Sequence, residues 1–289
     1  MIHPLVYEIN TRCWLRSLAQ REGQPVTLGS VPNAEIARWR ELGFTHVWAM
    51  GVWTTGPRAR SVALNEQNLR RRFDQLLPGW RVEQVPGSPY AIASYRVPDT
   101  LGGEMGLRAF RNQLHAHGLK LLLDFVPNHL GLDHRWVETR PELFVRSPIE
   151  AEGTFGRRTS AGWQWLAHGR DPNFPPWRDT VQVDYRQPEA RVAMIETLQA
   201  IEALCDGVRC DMAMLALNEV LDETWRHFPA RLPPPPTEFW EEAIAAVRRV
   251  APEFLFLAEA YWGLEARLQS LGFDYTYDKN VRDALVERR

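Results

Sequence analysis

Three short runs of this chain end in residues able to do acid, base or nucleophilic chemistry. Leu121-Leu-Leu-Asp-Phe-Val-Pro-Asn-His129 delivers Asp124, Asn128 and His129, Gly207-Val-Arg-Cys-Asp-Met-Ala213 delivers Arg209 and Asp211, and Phe254-Leu-Phe-Leu-Ala-Glu259 delivers Glu259. Arg209 and Asp211 are two apart, so on a strand both point to one face, and a guanidinium at that range keeps a carboxylate ionised. An ionised carboxylate suits a nucleophile or an electrostatic stabiliser; a buried structural ion pair is the plain alternative. Glu259 follows an apolar run with no cation beside it in sequence. That setting penalises the charged form and raises the pKa, as a general acid working near neutrality requires. A solvated strand end would leave it an ordinary carboxylate. Two carboxylates in contrasting environments are the arrangement of glycoside hydrolysis, retaining if they stand about 5 Å apart. His129 offers a hydrogen bond to a sugar hydroxyl, and Asn128 offers its amide oxygen to a hard cation such as calcium; either can equally be a satisfied structural group.

Each run is short, apolar and bounded by turn or helix signals, which reads as a buried parallel strand. A polar residue at its C-terminal end then enters a βα-loop, where barrel enzymes keep their chemistry. The rest of the chain supplies the remaining units. Leu5–Ile9 alternates as a first strand, extended by Cys13-Trp-Leu15. Asn33 can cap a helix with Ile36, Trp39 and Leu42 at helical spacing, and Phe44–Trp53 is a second strand. A basic stretch carrying Arg58, Arg60, Arg70, Arg71 and Arg72, with a helical patch at Leu69, Phe73 and Leu76, reads as a solvated insertion. After a Gly/Pro turn with Tyr90 and Tyr95 comes a helix turning Met105, Phe110 and Leu114 inward, then the third strand, Leu119–Val126. Residues 131–183 make an excursion too long for a simple loop, expected to be an inserted subdomain. A helix from Pro188, the strand Gly207–Met212, a helix capped by Thr237, the strand Phe254–Glu259, a short helix, a strand Phe273–Tyr277 and the start of a helix at Val281 complete six βα units. Alternation of this kind gives a parallel sheet, open or closed. No Gly-rich phosphate fingerprint is present, and carboxylates at strand ends favour the (β/α)8 TIM barrel, here with six units over residues 1–289 and incomplete at the C-terminus.

Bulk properties agree. The 289 residues carry a net charge of −2, with signs interspersed, which argues against a nucleic-acid or anionic membrane partner. No run is long enough for a transmembrane helix. The first strand begins at Leu5, leaving no room for a signal peptide, and the three cysteines have no ligand-like spacing. A cytoplasmic protein with core thiols is the expectation. Twelve tryptophans offer flat faces to sugars as well as to cores; Trp262, just past Glu259, is a candidate for stacking on a sugar.

With these residues assembled, the chain resembles the α-amylase superfamily of retaining glycoside hydrolases over essentially its whole length. Asp124-Phe-Val-Pro-Asn-His129, Gly207-Val-Arg-Cys-Asp211 and Ala258-Glu259-Ala260 are similar to three of the family's signatures, in order, and Val183-Asp-Tyr-Arg-Gln-Pro188 to the segment before its fourth helix. The resemblance implies Asp211 as nucleophile, Glu259 as acid/base and Arg209 as the partner of Asp211, with Tyr90 and His129 on the sugar and Asp124 bracing the site. It implies an α-glucan or maltooligosaccharide substrate and no required cofactor, calcium being an option. Two departures stand out. Met212-Ala-Met-Leu215 replaces the Lys-His pair of many starch-cutting members, predicting an apolar acceptor side. The family's His-Asp signature on the seventh strand, which supplies a third carboxylate, is absent, as are strands seven and eight. The competing expectation is therefore a carbohydrate-binding or assembly module without turnover.

Overall fold

The computed structural model describes residues 3–229 and 232–287. Six strands form one parallel sheet in chain order: β1 Val6–Asn10, β2 His46–Met50, β3 Lys120–Phe125, β4 Gly207–Cys210, β5 Leu255–Ala258 and β6 Tyr275–Thr276. The register sets Trp48 beside Leu122, Asp124 beside Arg209, Arg209 beside Leu257 and Leu257 beside Tyr275. Neighbours in register share a face, so these residues form one wall of the sheet. The alternate positions Val47, Leu121, Leu123, Val208 and Phe256 turn the other way and join the continuous apolar core under the helices. Both faces are covered in β2, β3 and β4, as expected for strands that read as unbroken apolar runs, while β5 leaves the face of Leu255 and Leu257 partly open.

The helices lie between the strands as the crossovers require. The first, α1, spans Thr11–Glu22 and corrects the expected strand extension at Cys13-Trp-Leu15. The side chain of Asn10 accepts from the Cys13 N–H at 3.2 Å, a cap that turns the chain into a helix burying Leu15 and Leu18. In α2, Asn33–Glu41, Asn33 is the first helical residue rather than the cap, and its amide oxygen pairs with His117 instead, 2.8 Å away. After β2 come α3, Pro57–Asn65, and α4, Gln67–Leu76. In α5, Gly103–Ala116, the buried face is Leu107, Phe110 and Leu114, while Met105 is 85% exposed. Starting the helical stripe at Leu107 gives the 3–4 spacing that Met105 breaks. The chain continues through α6 Pro188–Glu202, α7 Asn218–Trp225, α8 Phe239–Arg248, α9 Glu265–Ser270 and α10 Lys279–Glu287. The capping residue of α8 is Glu238, not Thr237, whose carbonyl accepts from Arg191.

Between β3 and α6 the chain builds antiparallel structure. His129–Gly131 pairs with Thr180–Gln182, and Gly162–Ala167 is the centre of a three-stranded sheet with Arg146–Ser147 and Thr154–Thr159. The start of this excursion is tied to α3: the Asp133 carboxylate accepts from the N–H groups of Arg58 and Ala59 at that helix's N-terminus. Gly56 is required there, because a Cβ would stand 2.0 Å from that carboxylate. Among the described residues no helix is long and apolar enough to cross a membrane.

Candidate active site

The C-terminal ends of β3, β4 and β5 bring Asp124, Arg209, Asp211 and Glu259 together around one guanidinium. Arg209 Nη1 is 2.6 Å from Asp211 Oδ1 and 3.9 Å from Asp124 Oδ1, and Nη2 is 2.8 Å from Glu259 Oε2. Its Nε donates to the Tyr277 hydroxyl at 3.2 Å. Three rings surround the cation, with centroids at 5.0 Å for Trp48, 5.3 Å for Tyr90 and 5.6 Å for Tyr277. All four ionisable side chains are largely withdrawn from water. Arginine suits this hub because its planar fork serves two carboxylates at once and its flat face accepts rings.

Each carboxylate has its own supports. Asp124 accepts from Trp48 Nε1 at 3.1 Å and from the Gly51 N–H at 2.9 Å. Gly51 ends β2 in the left-handed region, at φ 75°, which aims that N–H across to β3 and is the conformation glycine adopts freely. Burial pushes the Asp124 carboxyl up to about 7, and Arg209 and the two donors only partly oppose it. Glu259 accepts from the Met212 N–H at 2.8 Å and from the Tyr261 hydroxyl at 2.7 Å. Met212 itself has φ 44°, an uncommon conformation for a side-chain-bearing residue and one that collects at functional sites. The Glu259 pKa is raised by burial and by the Asp211 charge, with Arg209 pulling the other way.

That environment corrects the sequence-based view of Glu259 as an acid in an apolar wall. Its neighbours along the chain are apolar, but its neighbours in space are Arg209, Asp211 and Tyr261. Burial raises the pKa as expected, and the like charge of Asp211 adds to it, against the pull of an arginine that the chain order hides.

The remaining residues divide. The Tyr90 ring lies against Arg209. His129 is buried, its ring 5.1 Å from that of Trp177, and burial pushes its pKa down to about 4, so the imidazole is neutral at pH 7. Asn128, the expected calcium candidate, is buried. Its amide oxygen accepts from Gln182 Nε2 at 2.9 Å, and no cluster of three His, Cys, Asp or Glu side chains able to hold a metal exists among the described residues. Trp262 is 45% exposed with a left-handed backbone, and Tyr261 donates to Glu259. On the expected acceptor side, Ala213, Met214 and Leu215 are buried in the core and Met212 remains partly open. The carboxylates after Phe273 have structural partners: Asp274 binds Arg248 and the Phe256 N–H, Asp278 caps α10 through the Val281 N–H, and Asp283 pairs with Lys279 and Arg282. Trp48, Tyr261 and Tyr277 are site residues that sequence reasoning passed over.

A family model described as the alpha-amylase catalytic domain matches residues 40–281. The alpha-1,4-glucan:maltose-1-phosphate maltosyltransferase of Pseudomonas aeruginosa is 28% identical over 213 residues, covering 70% of this chain and 28% of the transferase. The 1,4-alpha-glucan branching enzyme of Clostridium perfringens is 24% identical over 158 residues, covering 55% of this chain and 19% of that enzyme. An alpha-amylase from Lactobacillus plantarum has a similar structure, with a TM-score of 0.66 at 23% identity over 99% of this chain and 56% of the amylase. That likeness speaks for the fold. The chain spans little more than a quarter of the length of the transferase it matches.

Proposed function

The chain belongs to the alpha-amylase catalytic-domain family, its six parallel strands forming part of a (β/α)8 barrel, and on that premise we propose a retaining glycoside hydrolase or transglycosylase acting on α-glucosidic linkages. The observation that carries this reading is the single guanidinium of Arg209 holding Asp211 and Glu259 on its two amino groups. Asp211 is the nucleophile and Glu259 the acid/base. In the first step Asp211 forms a bond to the anomeric carbon while the glycosidic C–O bond breaks and the Glu259 proton passes to the leaving oxygen. In the second, the Glu259 carboxylate takes a proton from water or a sugar hydroxyl, whose oxygen displaces Asp211. Glu259 must change from acid to base between the steps. Esterified Asp211 has lost its charge, so one of the two causes raising the Glu259 pKa disappears at the moment a base is needed. Tyr90 and His129 contact the sugar, and Asp124 braces Arg209. The three cysteines are unpaired, which fits a reducing compartment and a cytoplasmic site of action.

A second reading, glucan binding without turnover, is favoured by the structural engagement of Asp274, Asp278 and Asp283. Incubation with a 2-deoxy-2-fluoroglucosyl fluoride separates the two. Turnover by double displacement leaves a glycosyl adduct on Asp211, visible in the peptide mass spectrum. Maltooligosaccharide binding with neither adduct nor cleavage would establish the binding module instead.

A further inference from the structure

One side chain of β1 has no task in the fold. Along Val6–Asn10, Tyr7 and Ile9 turn to the core, Tyr7 against Trp39 and Phe44 and Ile9 buried. Glu8 stands between them, so it points to the opposite face, and it is exposed. In the register Glu8 lies beside Trp48, whose ring centroid is 5.0 Å from the Arg209 guanidinium. The wall that carries Asp124 and Arg209 therefore continues onto β1, with Glu8 on the same face.

The sheet curls far enough to bring β1 near β6. The rings of His3, just ahead of β1, and Tyr275, in β6, meet edge to face with centroids 6.4 Å apart. Tyr277 follows two residues later. Burial raises its phenol pKa and Arg209 opposes the rise, while the charges of Glu259 and Glu8 add to it. Glu8 and Glu259 thus act on one hydroxyl. That hydroxyl accepts from Arg209 Nε, and its own proton meets no acceptor among the described residues. Glu8 is the converse, a carboxylate with no donor among the described residues. A sugar hydroxyl both donates and accepts, so one placed between them satisfies both.

We propose that Glu8 is a fourth carboxylate of the catalytic floor, accepting from a hydroxyl of the reacting glucosyl unit and stabilising the positive charge that its ring develops. The inference rests on the proposed function and adds a residue from outside the signature runs. The charges already on the floor are committed. Asp211 loses its charge as its bond forms, and Glu259 gives up and recovers a proton. Asp124, pushed up to about 7 by burial, is only partly ionised near neutrality. Arg209 is itself a cation. A transition state with oxocarbenium character beside that cation gains from a fixed negative charge. Glu8 is the carboxylate on this wall that no cation among the described residues pairs with.

Calorimetric titration of the full protein with 1-deoxynojirimycin, a cationic glucose analogue, and with maltose, a neutral sugar, tests this without relying on turnover. Glu8→Gln keeps the shape and removes the charge, at an exposed position where the core is untouched. It should weaken the cationic ligand about tenfold, the scale of one charge-assisted hydrogen bond, and maltose about twofold at most. Glu8→Asp should recover part of the preference for the cation. In turnover of maltotriose, Glu8→Gln should lower kcat about tenfold with little change in KM, as a contact strengthened in the transition state requires. A side chain that merely shaped β1 would weaken both ligands alike. Equal weakening, or none, would overturn the role of Glu8, and an adduct on wild-type Asp211 would then leave the proposed function standing. Selective loss of the cationic ligand, with no adduct on the wild type, would uphold the Glu8 contact and break the proposed turnover. A wild-type protein that binds neither ligand would overturn both.

Discussion

Arg209 and Arg60 are each held by several partners, yet the two regions they organise differ in kind. Arg209, on β4, joins three carboxylates and three rings at the ends of adjacent parallel strands. Its register against β3 and β5 is set by backbone ladders on both sides. Arg60, on α3, holds two backbone carbonyls in the flank after β2, and α4 beside it buries nothing. The floor fixes its charges through direct ion pairs on paired strands, the held geometry that bond-making chemistry demands. The flank meets no such demand, and it is built with correspondingly few restraints.

The largest expected effect exposes this difference directly. Arg209→Met leaves Asp124, Asp211 and Glu259 buried around no cation, and should destabilise the fold by about 3–5 kcal/mol in urea unfolding at pH 7. Arg60→Met removes charge-assisted bonds near the surface and should cost about 1 kcal/mol. The Arg209 variant should recover stability as pH falls and its carboxylates protonate; the Arg60 variant should not. Equal losses at pH 7 would break the distinction between floor and flank.

The floor was the more legible region. β3 and β4 are covered on both faces and β5 on one, so their apolar runs stand out, and the residues ending them carry the charge. What the sequence hid was neighbourhood across strands. Arg209 lies beside Leu257 in the register, so it reaches Glu259 two residues on, although nothing near Glu259 in the chain is basic. The same register sets Leu257 beside Tyr275, which brings Tyr277 level with Glu259. Tyr261 reaches Glu259 from the segment after β5, whereas Trp262 stands in the turn that follows, with φ 64°. At α1 the ambiguity was local: Cys13-Trp-Leu15 fits either period, and only the Asn10 cap with Leu18 decides for a helix. In the flank, the helical spacing of Leu69, Phe73 and Leu76 was readable, but a solvated surface and a cavity wall share the same pattern.

A smaller effect divides the floor itself. Asp124, raised to about 7 from an ordinary 3.8, keeps its proton in the fold when the unfolded chain has lost it. Its contribution to stability is full below about pH 3.8 and is lost as pH rises through 7. His129 and His134, each lowered by burial to about 4 from 6.5, act in the opposite sense: their contribution is full above pH 6.5 and is lost as pH falls through 4. In wild type the two slopes oppose one another across the same window. Asp124→Asn removes one of them, so the variant's stability relative to wild type should rise between pH 4 and 7 by about 3 kcal/mol. Urea midpoints at successive pH values measure it. A parallel pH dependence in the two proteins would mean that Asp124 is ionised in the fold.

The smallest effect concerns a single hydroxyl. Tyr261 donates to Glu259 Oε1, and a donor to a carboxylate favours its charged form, so this bond holds the Glu259 pKa below where burial and Asp211 would otherwise drive it. Tyr261→Phe keeps the ring and deletes the donor. The general acid is active while protonated, so its pKa sets the basic limb of the rate profile, and that limb should move up by about half a pH unit. A residue that merely packed against Glu259 would alter kcat at every pH without moving the limb. Tyr277→Phe provides the contrast: its hydroxyl accepts from Arg209 rather than donating to the acid, so its loss should leave the limb closer to the wild-type position. A downward shift in the Tyr261 variant would mean that the phenol stabilises the protonated acid, reversing the direction of that hydrogen bond in the working enzyme.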